Sequence, residues 1–274
     1  MSYKASVIIS IYKNTTFLKV VLDSLKLQTE QNFEIIISED GENKGVETFI
    51  SLYAFQHAFQ HLTQEDKGWR KTTALNNAVR HARADWLIFI DGDCVLHPRF
   101  VEMHLRKAKE NLILSGRRVK LDKKTSDYLI DNAPQSILRM RTKVWQKLLV
   151  GKGQTKRIEE GIYIAPNSVF SFIHRKRPTN YILGSNMSFS KKAVFAINGF
   201  DEDFVTPTVG EDTDLFWRFK AAGYEIASVR SLAVQYHLCH EPSWTDNTEN
   251  KKIMQSKTER NEYFCKNGLT KFNE

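Results

Sequence analysis

"WLIFIDGDCVLHP", residues 86–98, sets five apolar residues, Trp86 to Ile90, directly against Asp91-Gly92-Asp93. A short, unbroken apolar run of this kind reads as a strand buried on both faces. The same pattern recurs on either side. Ala5 to Ile11 is β-branched and apolar, and Phe33 to Ser38 ends in Glu39-Asp40-Gly41. A weaker strand is predicted over 59–63 and another over 112–119. Between them lie helical patterns: Phe17, Val20, Val21, Ser24 and Leu25 behind an Asn14-Thr15-Thr16 cap, then 46–53, 71–82 and 99–109. Strands alternating with helices predict an α/β fold with a parallel, Rossmann-like sheet flanked by helices. In such sheets ligands sit beyond the carboxyl ends of the strands. Tyr12, Asp40 and Asp91 to Asp93 therefore converge on one crevice.

From Asp122 to Thr179 the alternation stops. Gln135 to Arg157 holds Arg139, Arg141, Lys143, Lys147, Lys152, Lys156 and Arg157 without one acid, with Leu138, Met140, Trp145, Leu148 and Leu149 interleaved. This stretch suits an anionic partner, a membrane surface or simply a solvated helix face. Regular structure resumes with a strand over 181–189, a short helix from Lys191, an acidic loop at Asp201-Glu202-Asp203 and a helix over 212–222 stopped by Gly223. The polar tail beyond Pro242 reads as a peripheral helix.

The chain has 274 residues, 41% of them hydrophobic and 11% aromatic, enough for a substantial core. Its net charge of +8 favours anionic partners without choosing one. Cys94, Cys239 and Cys265 fit no zinc spacing, and a reduced compartment follows as the expectation. No run approaches the roughly 20 apolar residues of a membrane helix, and no signal peptide is read at the start. The expected location is cytoplasmic, with the inner face of the membrane open. A phosphate-binding loop of the ATPase type, a dinucleotide fingerprint and a hydrolase nucleophile elbow are all missing, which argues against those three classes.

Four constellations carry chemistry. Asp91-Gly92-Asp93 offers carboxylates to Mg²⁺ or Mn²⁺, with Gly92 allowing close approach of a ligand; an ordinary turn is the competing reading. Gly210-Glu211-Asp212-Thr213-Asp214 opens a helix, where acids also serve as caps, and one of them could act as a general base. His237 and His240, three apart, resemble half a zinc site, but no second pair completes it. Gly68-Trp69-Arg70-Lys71 puts a basic pair at a helix start, suited to phosphate or to a solvated turn.

Taken in order, "SVIISIYKN", "FEIIISEDG", "GWRKTTALNNAVRHARADWLIFIDGDCVLHPRF", "ILGSNMSFSKKAVFAINGFDEDF" and "VGEDTDLFWRFKAAGYEI" resemble the inverting family 2 glycosyltransferases of GT-A fold. "GWR" through "DGD", "GED" and "YH" are similar to the catalytic domains of bacterial chondroitin-type polymerases, and "GED" to a galactosyltransferase segment. The resemblance implies a nucleotide pocket of Ser10, Tyr12, Asp40, Arg70, Asn76, Asp91 and Gly92. It implies a Mn²⁺ or Mg²⁺ site at Asp93 and His237, and a catalytic base at Asp212 with Glu211 beside it at the acceptor. It divides the chain into a nucleotide-sugar half, 1–121, an acceptor half, 122–241, and a peripheral extension, 242–274. Many members carry Pro at the position of Ser10 and Asn at that of Lys13, so contacts there differ.

The expected activity is transfer from a nucleotide-diphosphate sugar, a UDP-sugar above others, to a glycan or lipid-diphosphate-linked acceptor in bacterial surface polysaccharide synthesis. The chain has room for one catalytic domain, so single addition is expected rather than polymerisation. The alternative is an inactive glycan or nucleotide-sugar binder of the same fold. A sugar-nucleotide pyrophosphorylase is disfavoured by Ser-Ile-Tyr-Lys-Asn after the first strand, and a nucleic-acid binder rests on charge alone.

Overall fold

The computed structural model describes residues 2–207, 209–210, 212–241 and 246–272, apart from the side chain of residue 175. The first half runs β1 (Ala5–Ile11), α1 (Thr15–Lys26), β2 (Phe33–Glu39), α2 (Lys44–Leu52), β3 (Phe59–Leu62), α3 (Lys71–His81), β4 (Trp86–Asp91), β5 (Cys94–Leu96), α4 (Phe100–Lys107) and β6 (Leu112–Ser115). The second half runs β7 (Val119–Lys120), α5 (Lys123–Asn132), α6 (Gln135–Leu138), α7 (Met140–Val150), a 3₁₀ turn (Ile158–Gly161), α8 (Phe172–Arg175), β8 (Met187–Ser190), α9 (Lys191–Phe195), α10 (Thr213–Ala221), β9 (Glu225–Ser228), β10 (Gln235–His237) and α11 (Thr248–Glu259).

Seven strands form one sheet in the order β3-β2-β1-β4-β8-β6-β9, and β5-β10-β7 form a small second sheet. Alternation along each central strand sends side chains to opposite faces. Val7, Ile9, Ile35, Ile37, Ile88 and Ile90 pack on one side with Leu18, Val21 and Phe100. Ile8, Ile36, Leu87 and Phe89 pack on the other with Leu75, Val79 and Phe219. Burial on both faces explains why the middles of these strands are apolar at successive positions. Asn14 caps α1, accepting from the Phe17 N–H at 3.0 Å.

The sheet is mixed rather than wholly parallel: β8 runs antiparallel to both β4 and β6. The strand predicted over 112–119 is two strands in two sheets. Gly116 makes the break, because a Cβ there would lie 2.4 Å from the Asn186 amide. Asn186 in turn bonds the Arg117 and Ala233 carbonyls at 2.9 and 3.0 Å. The strand expected over 181–189 shrinks to Met187–Ser190 for the same reason, since the residues before it serve this junction.

The basic stretch is folded. Asp122 caps α5, and Leu129, Ile137, Met140 and Val144 join Val119, Ile158 and Tyr236 in a third core beneath the small sheet. Leu138, Trp145, Leu149 and Val150 stay exposed. The tail is tied to the body: the buried Lys257 on α11 pairs with Asp201 and Asp203, and Asn250 bonds the Thr206 carbonyl at 2.8 Å. No helix among the described residues is long and apolar enough to cross a membrane.

His104 on α4 is fully buried, with Ser188 Oγ 2.8 Å from Nδ1 and Asn186 Oδ1 3.1 Å from Nε2. Burial pushes its pKa down to about 3. The folded ring therefore stays neutral while the unfolded ring protonates below about pH 6.5, so this contribution is present at pH 7 and lost as pH falls. His104 alone should lower stability by about 2 kcal/mol between pH 7 and pH 5. Urea unfolding at the two pH values checks this. His104→Gln should flatten the difference, and an unchanged difference would dismiss His104 as its source.

Candidate active site

β1 pairs with β2 on one side and β4 on the other, so the strand order reverses direction between β1 and β4. A crevice opens beyond the strand ends at such a reversal. Ser10 sits opposite both Ser38 and Asp91, which brings Tyr12, Asp40 and Asp91 to its rim.

One wall is a loop pinned by carboxylates. Asp40 is buried and accepts from the Arg70 backbone N–H at 2.8 Å and from Gln64 Nε2 at 2.7 Å. The Tyr12 hydroxyl donates to Asp66 at 3.2 Å, and Lys13 pairs with the same carboxylate at 2.8 Å. The Tyr12 ring stays more than half exposed, open to a flat ligand. Arg70 precedes α3 and borders a cavity of about 510 Å³, shared with Gln64, Thr73, Glu202 and Val205. A larger cavity of about 610 Å³ opens by Tyr3, Lys4 and Trp86, at the opposite end of β1 and β4 from Asp91.

At the end of β4 the two carboxylates face different partners. Asp91 takes Lys71 at 2.8 Å and Arg118 at 3.2 Å, and Arg118 also bonds Ser185 Oγ at 3.0 Å. Asp93 Oδ1 accepts from the Cys94 thiol at 3.2 Å, while Oδ2 lies 2.9 Å from His240 Nε2 and 3.2 Å from His237 Nε2. Burial pushes the Asp93 carboxyl up, but the bonds to His237 and His240 outweigh it and hold it well below the usual carboxylate range. The bond to Asp93 raises the His240 pKa. Burial, then the Asp93 charge, keeps Cys94 a thiol, so it positions Asp93 rather than acting as a thiolate.

Asp93, His237 and His240 offer three ligand atoms within 4.8 Å of one another. One carboxylate and two imidazoles fit a divalent transition ion, and imidazole suits Mn²⁺ better than the oxygen-preferring Mg²⁺. The sequence pointed to His237. His240 shows in the sequence only as its neighbour three residues on, with no second pair to complete a zinc site. Lys71 belongs to the basic pair the sequence places at the start of α3, whereas Arg118 carries no local signal, since it reaches Asp91 through the fold.

Two residues of the expected pocket have partners within the fold itself. Asn76 is fully buried; its amide donates to the Phe200 carbonyl at 2.8 Å and Glu202 at 2.9 Å, and its Oδ1 accepts from the Phe200 N–H at 2.8 Å. With those bonds made, Asn76 holds the 200–202 loop against α3. Gly92 is required by its own sheet: a Cβ would lie 2.5 Å from Ile11 Cγ2, and its N–H donates to the Ser10 carbonyl at 2.8 Å.

Asp212 is the N-cap of α10, its carboxylate accepting from the Thr213 N–H at 2.8 Å. Glu211 lies outside the described residues. The third acid of this motif is structural. Asp214 and Arg218 form a fully buried ion pair at 2.7 Å, and Arg218 also bonds the Ile197 and Gly199 carbonyls at 2.8 and 2.9 Å. Removing one partner strands the other charge. Asp214→Ala should therefore cost about 3–5 kcal/mol in urea unfolding; a loss below about 1 kcal/mol, the range of an exposed pair, would contradict this burial.

A glycosyl transferase family 2 model matches residues 6–174, and one described as the N-terminal domain of galactosyltransferase matches 165–241. The chain belongs to glycosyl transferase family 2. Chondroitin synthase of Escherichia coli is 26% identical over 247 residues, covering 88% of this chain and 35% of that protein. Validoxylamine A glucosyltransferase of Streptomyces hygroscopicus subsp. jinggangensis is 27% identical over 229 residues, 80% of this chain and 51% of the relative. Hyaluronan synthase of Pasteurella multocida is 23% identical, over 88% of this chain and 25% of the synthase. The chain thus spans between a quarter and about half the length of these relatives.

Among solved structures, the mannosyltransferase PcManGT from Pyrobaculum calidifontis, in complex with GDP-Man and Mn²⁺, superposes with a TM-score of 0.57 at 16% identity, over 94% of this chain and 62% of that one. Staphylococcus aureus TarS 1-349 with UDP-GlcNAc gives 0.60 at 13% identity, over 92% and 65%. These likenesses place the fold of this glycosyltransferase in the GT-A class.

Proposed function

We propose that the chain transfers a sugar, with inversion and with the help of a divalent cation, from a UDP-sugar to a glycan or lipid-diphosphate-linked acceptor in bacterial surface polysaccharide synthesis. The observation that carries this reading is Asp93 at the end of β4, with two imidazoles against one oxygen and a crevice at the β1–β4 reversal. That GDP-Man and Mn²⁺ accompany one fold neighbour, and UDP-GlcNAc another, supports the donor class.

In this reading Tyr12 and Ser10 line the base pocket, and Asp40 orders the Gln64–Arg70 wall. Asp91 faces the ribose. Lys71 and Arg118 bring positive charge beside the diphosphate. Asp93, His237 and His240 would hold the cation, which offsets the negative charge developing on the leaving diphosphate. Asp212 takes the proton from the acceptor hydroxyl. That oxygen forms its bond to the anomeric carbon as the carbon–phosphate oxygen bond breaks on the opposite face, so one displacement inverts the configuration. Glu211 is assigned beside the acceptor. Residues 1–121 would serve the donor, 122–241 the acceptor, with 242–274 as an extension, and the cationic surface would suit the cytoplasmic face of a membrane.

A panel of UDP-, GDP- and dTDP-sugars with Mn²⁺ and oligosaccharide acceptors tests this, with product configuration read by NMR. One UDP-sugar should be consumed and the new linkage should be inverted. Retention of configuration, or use of GDP-sugars alone, would contradict the reading.

A further inference from the structure

The small sheet lays a row of cations outward from the metal-ligand histidine. β10 and β7 run parallel with His237 opposite Lys120, and Lys120 in turn bridges Lys156, their backbones exchanging hydrogen bonds of 3.0 and 2.8 Å. Residues opposite one another in a sheet share a face. His237, Lys120 and Lys156 therefore stand side by side, with Lys120 about 5 Å and Lys156 about 10 Å from His237 at the usual strand spacing. Arg118, two residues before Lys120, points the same way, toward Asp91. Arg157 follows Lys156 in a left-handed conformation, φ 57°.

Like charges set directly opposite each other destabilise a sheet. Here they gain no compensation from the protein. Among the described residues none of Lys120, Lys156 and Arg157 has a carboxylate at ion-pair distance. Two of the nearby acids are engaged elsewhere. Asp122 holds Lys147 and Thr155, and Glu160 holds Arg177 and Arg230. Partial burial of its ammonium, then the charges of Arg118, Arg157 and Lys156, push the pKa of the otherwise exposed Lys120 below its ordinary value. Burial and the charges of Arg230 and Arg157 bring Arg117 down to about 10.

We infer that the row Lys120–Lys156–Arg157 is an acceptor subsite for a carboxylated glycan, its acidic groups meeting the cations as the chain leads away from the metal-binding residues. This rests on the function proposed above and names the acceptor class for it. An elongated saccharide can lie across the strands and still extend toward the donor crevice. A flat membrane surface cannot follow the row to a half-buried histidine, so the glycan is the occupant the geometry favours.

The test is calorimetric titration of the whole chain, with Mn²⁺ and UDP present, by hexasaccharides of chondroitin, hyaluronan and polygalacturonate and by their carboxyl-reduced, neutral forms. At least one acidic hexasaccharide should bind, and its reduced form should bind at least tenfold more weakly. Lys120→Gln with Lys156→Gln, both exposed side chains, should weaken the acidic ligand by about tenfold or more while Mn²⁺-dependent UDP binding is retained. Loss of UDP binding in the wild type would instead count against the proposed function itself. Equal binding of acidic and reduced forms, binding by no acidic hexasaccharide, or insensitivity to the double substitution would overturn the subsite. So would capture of phosphatidylglycerol vesicles, rather than the glycan, through these same lysines.

Discussion

Asp93→Ala should reduce nucleotide binding in Mn²⁺ to the level the wild type shows in EDTA. Asp93 supplies the carboxylate of the three-ligand cluster, and its Oδ2 orients both imidazoles. Disturbing even a group that only orients a ligand costs about 10–100-fold in metal affinity, so loss of the ligand itself should cost at least about 100-fold. The fold should survive, because the Leu238 N–H bonds the Asp93 backbone carbonyl at 2.9 Å, which the substitution keeps. Titrating Mn²⁺ into the nucleotide-bound variant checks this. Retention of wild-type metal affinity would move the cation elsewhere.

Asp212→Asn should leave donor binding and stability unchanged and lower transfer by about 10²–10⁴-fold, the usual contribution of a general base. Asn caps a helix about as well as Asp, so the bond from the Thr213 N–H persists and α10 stays in place. The amide, however, cannot take the acceptor proton. This separates a chemical role from the structural one, which Asp214 and Arg218 perform in the buried interior. Wild-type transfer by Asp212→Asn, at unchanged donor affinity, would remove Asp212 as the base.

Much of the fold was legible because the central strands are covered on both faces. The runs Val7–Ile9, Ile35–Ile37 and Trp86–Ile90 are held apolar by that burial, and the ends of their strands mark the crevice. The direction of β8 was not legible. Four residues, Met187–Ser190, carry no mark of direction, which shows only in the pairing with β4 and β6. The folded basic segment was hidden for another reason. Its core residues Leu129, Ile137, Met140 and Val144 are divided among three short helices around Pro134, so no helical period is sustained.

The site divides in the same way. Asp91 and Asp93 stand at a strand end and could be read locally. Asn76 could not, because its partners Phe200 and Glu202 lie more than 120 positions away. His240 joins Asp93 across 147 positions, and only its spacing from His237 gave a sign of it. Gly92 was legible as special, but its neighbour was not: Ile11 of the adjacent strand leaves no room for a side chain there.

The most direct measurement is calorimetric titration of UDP into the protein at moderate salt, first with Mn²⁺ and then with EDTA. If Asp93, His237 and His240 hold a cation against a diphosphate, UDP binds with Mn²⁺ and the heat vanishes in EDTA. UDP binding of equal strength in both conditions would contradict a metal-bridged donor site.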